Sequence, residues 1–389
     1  MKEKIIVKQC DCLDGLKELV PCSIDLIYLD PPFFTQKIQR LKDENGNEYS
    51  FDDTWESLEE YLNYLKLRLL EMKRVLKNTG SIFLHCDSKA SHYLRQILDE
   101  VFEYSNFRNE IIWTYKRWSN SKKGLLNGHQ TIFWYSKTND FKFNFKYVDY
   151  SSTTNLDQIL QERRRNKDGK VEYKTNENGE VILGKEKKGV PLSDVWEIPY
   201  LNPKAKERTG YPTQKPILLL EQILEVASDK NDLILDPFCG SGTTLVTSVL
   251  MNRNCIGFDI NPLAISLTKN RLECPIKTTS NLLLKGKEAY KTKTQKELKI
   301  LEYLNCDIIQ RNKGLDGILK KQVKGKQIGV KIQKETESLE VAVKNLLLVT
   351  EKKNFLFSIL VKTKFSPINF KVPDKIKIID TLDSIISEF

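Results

Sequence analysis

The chain has few of the residues that build metal centres and disulfide frameworks. Among 389 residues there are three histidines and eight cysteines, and no two cysteines form a C-x-x-C pair. Neither a metal site nor a set of disulfides is therefore expected, and reduced thiols suit a cytoplasmic protein. Long hydrophobic runs are also missing. The run near the amino terminus, Ile5 to Val7, is too short for a secretion signal, and no stretch approaches the length of a membrane span.

Charge and length set the broad class of the protein. The formal net charge is +10 at pH 7 and the sequence pI is near 8.9. A basic balance is expected of a protein that neutralises phosphates, although a lysine-rich soluble surface gives the same value. A chain of 389 residues can bury a large core and is expected to hold more than one domain.

The most informative motif is Asp30-Pro31-Pro32-Phe33, which follows the apolar run Ile24 to Leu29. That run predicts a buried strand of a parallel sheet, and open α/β sheets bind ligands at the carboxyl ends of such strands. Two prolines remove two N–H donors and stiffen the backbone, so the Asp30 side chain and a fixed carbonyl can both accept from one amino group. Phe33 offers a flat face to the ring that carries the amine. A strand-ending turn with an exposed aromatic is the alternative.

A second motif lies far downstream. A strand ending at Asp236 leads into a turn that contains Gly240 and Gly242, and a helix is predicted from Thr243 to Leu250. The glycines allow a tight turn and close approach of a ligand, towards which the helix amides point. Asp259, at the tip of the next strand, can accept hydrogen bonds from both hydroxyls of a ribose. The spacing is not G-x-G-x-x-G and no Walker lysine follows, which disfavours nicotinamide and ATP.

On these two motifs the sequence resembles the S-adenosylmethionine-dependent DNA amino-methyltransferases of the β class, in which the catalytic motif precedes the cofactor loop. The resemblance covers roughly residues 1 to 275 and includes two further segments. The segment from Gly210 to Pro216 is similar to the T-Q-K-P segment that lies over the methionine part of the cofactor. The segment from Cys10 to Leu16 resembles the one whose acid contacts the cofactor adenine, and Asp11 is its better match.

The resemblance implies S-adenosylmethionine as the cofactor and Asp30, Pro31, Pro32 and Phe33 as the catalytic residues. Family members with Asp in the first position mostly act on adenine N6, which predicts site-specific methylation of adenine in duplex DNA. N4 of cytosine is the alternative, and RNA or protein glutamine are less favoured targets. The residues that the resemblance places at the cofactor are Asp11, Thr213, Gln214, Lys215, Asp236, Phe238, Gly240, Ser241, Gly242, Thr243, Asp259 and Asn261.

The chemistry follows from the acceptors. An exocyclic amine is a poor nucleophile because its lone pair is delocalised into the ring. Asp30 and the Pro31 carbonyl favour the pyramidal nitrogen that develops as the amine attacks the sulfonium methyl, which stabilises the transition state more than the ground state. A stacked base cannot present its amine in line, so the base must be flipped, with Phe33 stacking on it. No metal is needed.

The expected fold is α/β, a permuted Rossmann-like methyltransferase with a mixed, mostly parallel sheet. If Ile5 to Gln9 is the third strand and Ile24 to Leu29 the fourth, the first and second strands come from residues 232–260. A capping box at Ser57 and Glu60 is predicted to begin a helix that Gly80 ends. The next strand carries His85 near its tip, where the histidine either reaches the active site or is a satisfied structural residue.

Two regions are candidates for DNA contact. The segment that contains Trp113 and Tyr115 resembles the family segment that lines the flipped-base pocket. The alternative interpretation is that this segment belongs to a pair of core strands. Arg163, Arg164 and Arg165 lie in the charged segment 140–195, where this family inserts its target recognition domain. Arginines suit guanine edges and phosphates, whereas the alternative is a solvated loop. A hairpin turn is predicted at Asn178-Gly179.

The predicted domains are a methyltransferase domain (1–139 and 196–273), the recognition region (140–195), a linker (274–295) and a carboxy-terminal module (296–389). The module resembles an eroded restriction-endonuclease-like fold that binds DNA, since Asp316 and Lys331 fit its pattern but Gly329 replaces a metal ligand. A generic accessory α/β domain is the alternative. The expected partners are double-stranded DNA, a second copy of the chain and a cognate restriction endonuclease.

Overall fold

The computed structural model describes residues 4–42, 46, 48–115, 124–150, 161–182, 184, 189–202, 205–279, 291–364 and 367–380. The chain forms two compact units, Met1–Thr279 and Ser280–Phe389, and each is described by itself. The boundary between them falls inside the segment predicted as a linker, of which residues 280–290 lie outside the described residues.

The first unit is built on an eight-stranded mixed sheet. In order across the sheet its strands are β1 (Ile5–Gln9), β14 (Asn254–Asp259), β13 (Leu233–Asp236), β2 (Ile24–Leu29), β5 (Leu76–Cys86), β7 (His129–Ser136), β6 (Phe107–Thr114) and β12 (Val195–Glu197). The first five are mutually parallel, and β7 is antiparallel to both of its neighbours. Strands β13 and β14 come late in the chain but lie between β1 and β2, which confirms the predicted permuted order and the α/β fold.

Helices cover both faces of this sheet. They are α1 (Cys12–Lys17), α2 (Leu58–Val75), α3 (Ser91–Phe102), α4 (Ile217–Ala227), α5 (Thr243–Leu250) and α6 (Pro262–Glu273), with a short 3-10 helix at Tyr104–Asn106. Helices α1 to α3 contribute to one buried core and α4 to another, and β2 supplies side chains to both. All six residues of β2 are buried because both of its faces are covered, which accounts for a sequence that is apolar apart from Asp25.

Helix α2 differs from the prediction at both ends. The Ser57 side chain accepts from the Glu60 amide as expected, but the Glu60 carboxylate accepts from the Glu56 amide rather than completing a capping box. The helix ends at Val75, and Gly80 lies within β5, so the expectation that Gly80 ends the helix is wrong. A Cβ at Gly80 would lie 2.9 Å from the Asp25 carbonyl, so close strand packing explains this glycine.

The described part of the first unit also contains three two-stranded antiparallel sheets. Strand β3 (Lys37–Lys42) pairs with β4 (Glu48–Asp53), β8 (Tyr147–Val148) with β11 (Val190–Pro191), and β9 (Arg163–Arg165) with β10 (Val171–Tyr173). The turn predicted at Asn178-Gly179 is confirmed, because the Gly179 amide donates to the Asn176 carbonyl and Gly179 has a φ of +82°. The β3–β4 pair was not predicted.

Within its described residues the second unit has a five-stranded mixed sheet and two helices. Its elements are α7 (Gln295–Tyr303), β15 (Cys306–Ile308), β16 (Gly317–Leu319), β17 (Gly329–Ile332), α8 (Leu339–Lys352), β18 (Ser358–Lys362) and β19 (Ile376–Asp380). The sequence pattern predicts a helix at 296–304, a strand at 327–332, a helix at 339–350 and a strand at 355–361, and α7, β17, α8 and β18 confirm this succession. No helix in the described part of the chain is long and apolar enough to cross a membrane.

Candidate active site

Four carboxylates meet at one edge of the main sheet. Asp11 follows β1, Asp30 follows β2, Asp236 ends β13 and Asp259 ends β14. Because these strands are parallel neighbours, their carboxyl ends lie side by side, at the place where open α/β sheets bind ligands. The four side chains line a single cavity of about 570 Å³.

The cavity brings together nearly all of the residues predicted from the two motifs. Those that line it are Asp11, Asp30, Pro31, Pro32, Phe33, Thr213, Gln214, Lys215, Asp236, Phe238, Gly240, Ser241, Thr243, Asp259 and Asn261. Gly242 is not among the lining residues. It begins helix α5 with a φ of +73°, and a Cβ there would lie 2.5 Å from the Thr268 side chain, so the turn requires glycine.

The Asp30 carboxylate has two different environments. Oδ2 forms an ion pair with the ammonium of Lys215, a side chain that is only 5% exposed. Oδ1 is buried and accepts no hydrogen bond from the described residues. Burial raises the pKa of Asp30, and the neighbouring Lys215 cation opposes that rise. Asp30 therefore presents one free acceptor oxygen while the other is held by a lysine.

His85 lies directly behind Asp30. Its Nδ1 is 2.8 Å from the Tyr28 hydroxyl and 3.8 Å from Asp30 Oδ1, and its Nε2 is 3.0 Å from the Gln130 amide oxygen. Burial, with a further contribution from Lys215, lowers the pKa of His85 well below its ordinary value, so the ring is neutral. Nε2 then donates to Gln130 and Nδ1 accepts from Tyr28, leaving no proton for Asp30. His85 is thus a satisfied structural residue that also adjoins the site.

The carbonyls of the two prolines differ in their hydrogen bonds. The Pro32 carbonyl accepts a hydrogen bond of 2.8 Å from the hydroxyl of buried Tyr61. The Pro31 carbonyl accepts none from the residues that the structure describes. The Phe33 ring stands beside these groups, with its centre 5.8 Å from the His85 ring and 5.3 Å from the Lys215 ammonium. One carboxylate oxygen, one carbonyl and one aromatic face are therefore grouped together.

The glycine turn and β14 form the opposite side of the cavity. Asp259 accepts hydrogen bonds from the Gly240 amide (2.9 Å) and the Asn261 amide (2.8 Å), and burial nevertheless raises its pKa. Asp236 accepts from the Phe238 amide at 3.1 Å, and burial raises its pKa to about 7. In the described part of the chain neither acid has a cationic partner within ion-pair distance.

Several other predicted cofactor residues make hydrogen bonds within the protein. Asp11 caps α1 and pairs with Arg68, while Asn261 caps α6 and donates to the Ser50 carbonyl. The amide of Gln214 accepts from Thr209 and donates to the Glu207 carbonyl. These residues shape the wall of the cavity, and their contact with a cofactor stays a prediction.

The residues predicted to contact DNA lie away from the cavity lining. Trp113 is fully buried and its indole N–H donates to the Ile198 carbonyl at 2.8 Å, and Tyr115 is 7% exposed. The alternative reading of this segment as a core strand therefore describes both residues in this structure. The side chains of Arg163 to Arg165 are all exposed, on the strand that pairs with Val171–Tyr173.

Sequence reasoning missed one wall of the cavity. Gln39, Ser50, Phe51 and Asp53 from the β3–β4 pair line it, together with Tyr28 and Tyr211. The ring of Tyr49 on β4 lies 5.6 Å from that of Tyr211, which precedes the T-Q-K-P segment. A signal was present, since Asn45-Gly46 between two segments of alternating polarity is typical of a hairpin.

The second unit holds a buried ionic cluster around Asp316. Asp316 pairs with Lys293 and Lys334 and accepts from the Ile332 amide at 2.7 Å. Asp316 thus lies against the strand that carries Lys331, as the pattern predicts, but the Lys331 side chain pairs with Glu337 at 3.0 Å. Among the described residues of the whole chain, no group of three or more His, Cys, Asp or Glu side chains could hold a metal.

Comparison with known proteins defines the class. A family model described as DNA methylase, for N6 and N4 methyltransferases, matches residues 24–270. The type II methyltransferase M.HinfI of Haemophilus influenzae is 30% identical over 288 residues, which cover 70% of this chain and 70% of that protein. The chain belongs to the N6/N4 DNA methylase family.

Two further similarities differ in their target base. The DNA adenine methyltransferase YhdJ of Escherichia coli (strain K12) is 26% identical over 282 residues, covering 72% of this chain and 86% of that protein. Among solved structures, the cytosine-N4-specific PvuII DNA methyltransferase gives a TM-score of 0.47 at 18% identity, covering 72% of this chain and 92% of that one.

Proposed function

We propose that this chain is a site-specific DNA methyltransferase of the β class, which transfers a methyl group from S-adenosylmethionine to N6 of adenine in duplex DNA. One observation carries the proposal. Asp30 Oδ1 is buried without a donor, and the adjacent Pro31 carbonyl accepts no hydrogen bond from the described residues. A buried unpaired acceptor is costly unless a ligand satisfies it. Two such acceptors beside an aromatic ring match one amino group on a flat base.

The cavity suits the cofactor by its size and charge. A volume of about 570 Å³ is in the range of small-molecule sites. Asp11 and Asp30 are neutralised by Arg68 and Lys215, whereas no cation among the described residues pairs with Asp236 or Asp259. Two uncompensated buried acids favour a positively charged ligand. S-Adenosylmethionine supplies an electrophilic methyl group on a sulfonium, together with ribose hydroxyls that Asp259 is placed to accept.

The residues then have separate roles. Asp30 Oδ1 and the Pro31 carbonyl accept the two N–H groups of the amine and favour its pyramidal form. Lys215 favours the ionised form of Asp30 by opposing the effect of burial on its pKa. Phe33 stacks on a base that has been flipped out of the duplex, which positions the amine for attack.

Two grounds support N6 of adenine as the target atom: position 30 is Asp, and one relative is named as a DNA adenine methyltransferase. The acceptors themselves would serve N4 of cytosine equally well. Incubation with tritiated S-adenosylmethionine and DNA, RNA or protein, followed by digestion of the DNA to nucleosides, tests the proposal. We expect N6-methyladenine. Detection of N4-methylcytosine alone would show that the target base is cytosine and not adenine. Label confined to RNA or protein would refute the proposed function.

We further propose that one face of the β9–β10 pair contacts DNA. Successive residues of a strand point to opposite faces. Arg164 pairs with Glu172 at 2.9 Å across the strands, so its charge is compensated. Arg163 and Arg165 lie on the other face and form no ion pair with a described residue. Tyr173 shares that face, 5.5 Å from the Arg163 guanidinium.

The arrangement supplies a matched control. The double substitution Arg163→Ala/Arg165→Ala should weaken DNA binding and reduce its salt dependence, because two phosphate-contacting cations are lost. Arg164→Ala removes a compensated charge and should have a much smaller effect. Fluorescence anisotropy with duplex DNA at several salt concentrations measures both variants. Equal effects of the single and double changes would contradict this assignment.

The second unit is proposed to bind DNA without cutting it. Residues 291–380 contain 20 Lys and Arg against 10 Asp and Glu, whereas residues 1–280 contain 40 against 39. The second unit therefore supplies nearly all of the net charge, and basic surface binds the phosphate backbone by counterion release. Within it, Lys293 and Lys334 already neutralise Asp316, where a nuclease would need a bound metal ion.

Truncation after Thr279 tests this proposal, because Lys277 and Thr278 still contact Glu221 and Glu207 of the first unit. The truncated protein should bind DNA more weakly, with a flatter salt dependence, yet still transfer methyl groups. Mg²⁺-dependent cleavage by the full chain, abolished by Asp316→Ala, would instead show an active nuclease. A second copy of the chain is also proposed as a partner, and sedimentation tests this self-association. A cognate restriction endonuclease is a further proposed partner, which restriction of unmethylated DNA in the host would reveal.

A further inference from the structure

Asp53, the last residue of β4, binds the loop that follows the catalytic motif. Its Oδ2 accepts from the Phe33 amide (3.2 Å), the Thr35 amide (2.8 Å) and the Thr35 hydroxyl (2.6 Å). Its Oδ1 accepts from the Phe34 amide (2.9 Å) and the Trp55 indole (3.1 Å). Asp53 is 1% exposed. One buried carboxylate thus receives five donors, three of them consecutive backbone amides.

The loop needs such a partner because its conformation is strained. Phe34 has a φ of +59° and Gln36 a φ of +57°, left-handed values that are strained for residues other than glycine. Alternating backbone conformations of this kind turn successive N–H groups towards one point and create a concave anion site. Pro31 and Pro32 carry no N–H, and the first three amides after Asp30 are the ones that Asp53 binds.

A second contact fixes the same loop from helix α2. Tyr61 donates to the Pro32 carbonyl, and its ring centre lies 5.1 Å from that of Trp55, whose indole N–H donates to Asp53. The Pro32 carbonyl and the three following amides are therefore all held by the segment 53–61. The Pro31 carbonyl and Asp30 Oδ1, by contrast, accept no hydrogen bond from the described residues and stay available to a substrate amine.

We infer that Asp53 is a positioning residue for methyl transfer: as a bound anion it holds loop 33–36 in its left-handed conformation and so places the Phe33 ring beside the amine acceptors. The inference rests on the proposed function for the role of Phe33. Asp53 acts through the loop and touches no reacting atom. Its substitution should therefore impair turnover without a matching loss of cofactor binding.

Asparagine at position 53 is a discriminating change because it preserves size. If the amide nitrogen replaces Oδ2, it meets the Phe33 and Thr35 donors, and if it replaces Oδ1, it meets the Phe34 amide and the Trp55 indole. In either orientation a donor faces donors, and the negative charge is lost.

Hydrogen exchange tests the geometry independently of any activity. In the wild-type protein the peptide 30–36 can report only four backbone amides after Asp30, since two of its residues are proline. We expect the amides of residues 33–35 to be protected in the wild type and to exchange about 10- to 100-fold faster in Asp53→Asn. Wild-type amides that exchange as in an unstructured peptide would overturn the inference even if the variant failed to fold.

The kinetic test uses Asp25→Asn as a matched control. Asp25 is also a buried carboxylate (4% exposed) that accepts from a backbone amide, that of Leu233, and from Lys77, but it lies at the opposite end of β2. With tritiated methyl transfer to DNA, Asp53→Asn should lower kcat by about 10- to 100-fold and change the cofactor Kd by less than about threefold.

Each outcome has a distinct meaning. Asp25→Asn should lower thermal stability without lowering kcat. Asp53→Asn with wild-type kcat, or a fall in kcat that Asp25→Asn reproduces at equal loss of stability, would overturn the inference. Absence of methyl transfer to DNA by the wild-type protein would instead refute the proposed function, and the exchange result would then still decide whether Asp53 holds the loop.

Discussion

Asp236→Asn should change how the stability of the first unit depends on pH. Burial raises the pKa of Asp236 to about 7, from an ordinary value of 3.8, and among the described residues its oxygens accept from the Phe238 amide and the Thr244 hydroxyl. Asparagine keeps an acceptor for the Phe238 amide but cannot ionise. The variant therefore isolates the cost of burying this charge.

The sign follows from proton binding. Since the folded-state pKa is raised, the native protein binds more protons than the unfolded chain between about pH 4 and pH 7, and its stability falls as pH rises through that window. A displacement of about three units corresponds to about 4 kcal/mol when fully developed. We expect the stability of the wild type relative to Asp236→Asn to fall by roughly this amount between about pH 4 and pH 8.

Urea unfolding followed by tryptophan fluorescence is the appropriate assay. All five tryptophans precede residue 280, so the signal reports the first unit alone. The raised pKa values of Asp30 and Asp259 are present in both proteins, so they cancel in the difference to the extent that the three acids are independent. Stability curves that run parallel for wild type and variant across this pH range would refute the reasoning.

Three further predictions concern the chemistry. Asp30→Ala should abolish methyl transfer to DNA while calorimetry shows nearly unchanged cofactor binding, and a variant with wild-type turnover would disprove the catalytic role. Asp259→Ala removes a buried charged acceptor and should weaken cofactor binding by about 1.5 to 3 kcal/mol, which an unchanged calorimetric Kd would contradict. Lys215→Met removes the cation that opposes the raised pKa of Asp30, so the acidic limb of the kcat profile should move to higher pH. A limb that stays in place would show that Asp30 is not the titrating group.

The cavity could be predicted from sequence because strand order determines it. Asp30, Asp236 and Asp259 each end an apolar run, and parallel packing brings the ends of such strands together although more than 200 residues separate Asp30 from the other two. The motif spacing also predicted the permuted order of the strands. These features depend on local pattern and on rules of connection, both of which can be read from one chain.

The cavity wall formed by the β3–β4 pair, and the role of Asp53 within it, could not be inferred with the same certainty. The role of Asp53 depends on five donors, four from residues 33–35 and one from Trp55, and no local pattern specifies which carboxylate will meet them. The burial of Trp113 is a similar case. An aromatic-rich strand predicts equally a core or a stacking surface, and only packing against Ile198 and Tyr200 decides.

The nuclease-like pattern shows that a motif match does not determine ionic partners. Asp316 lies against the strand that carries Lys331, since it accepts from the Ile332 amide and its own amide donates to the Val330 carbonyl. In the folded unit Asp316 nevertheless pairs with Lys334 and Lys293, while Lys331 pairs with Glu337. These partners lie outside the motif, so the sequence pattern alone could not specify them.

The contrast between Asp30 and Asp236 gives the site its electrostatic logic. Asp30 and Asp236 stand at the ends of adjacent strands, yet Lys215 accompanies only Asp30 among the two. The first is thereby biased towards the ionised form that accepts hydrogen bonds from an amine, whereas the charge of the second depends on what enters the cavity. A cationic ligand beside Asp236 would lower its pKa and be retained by the charge that it helps to create. In the proposed mechanism the protein therefore supplies its own cation where the reaction needs a constant acceptor, and leaves the neighbouring acid uncompensated where a sulfonium compound would bind.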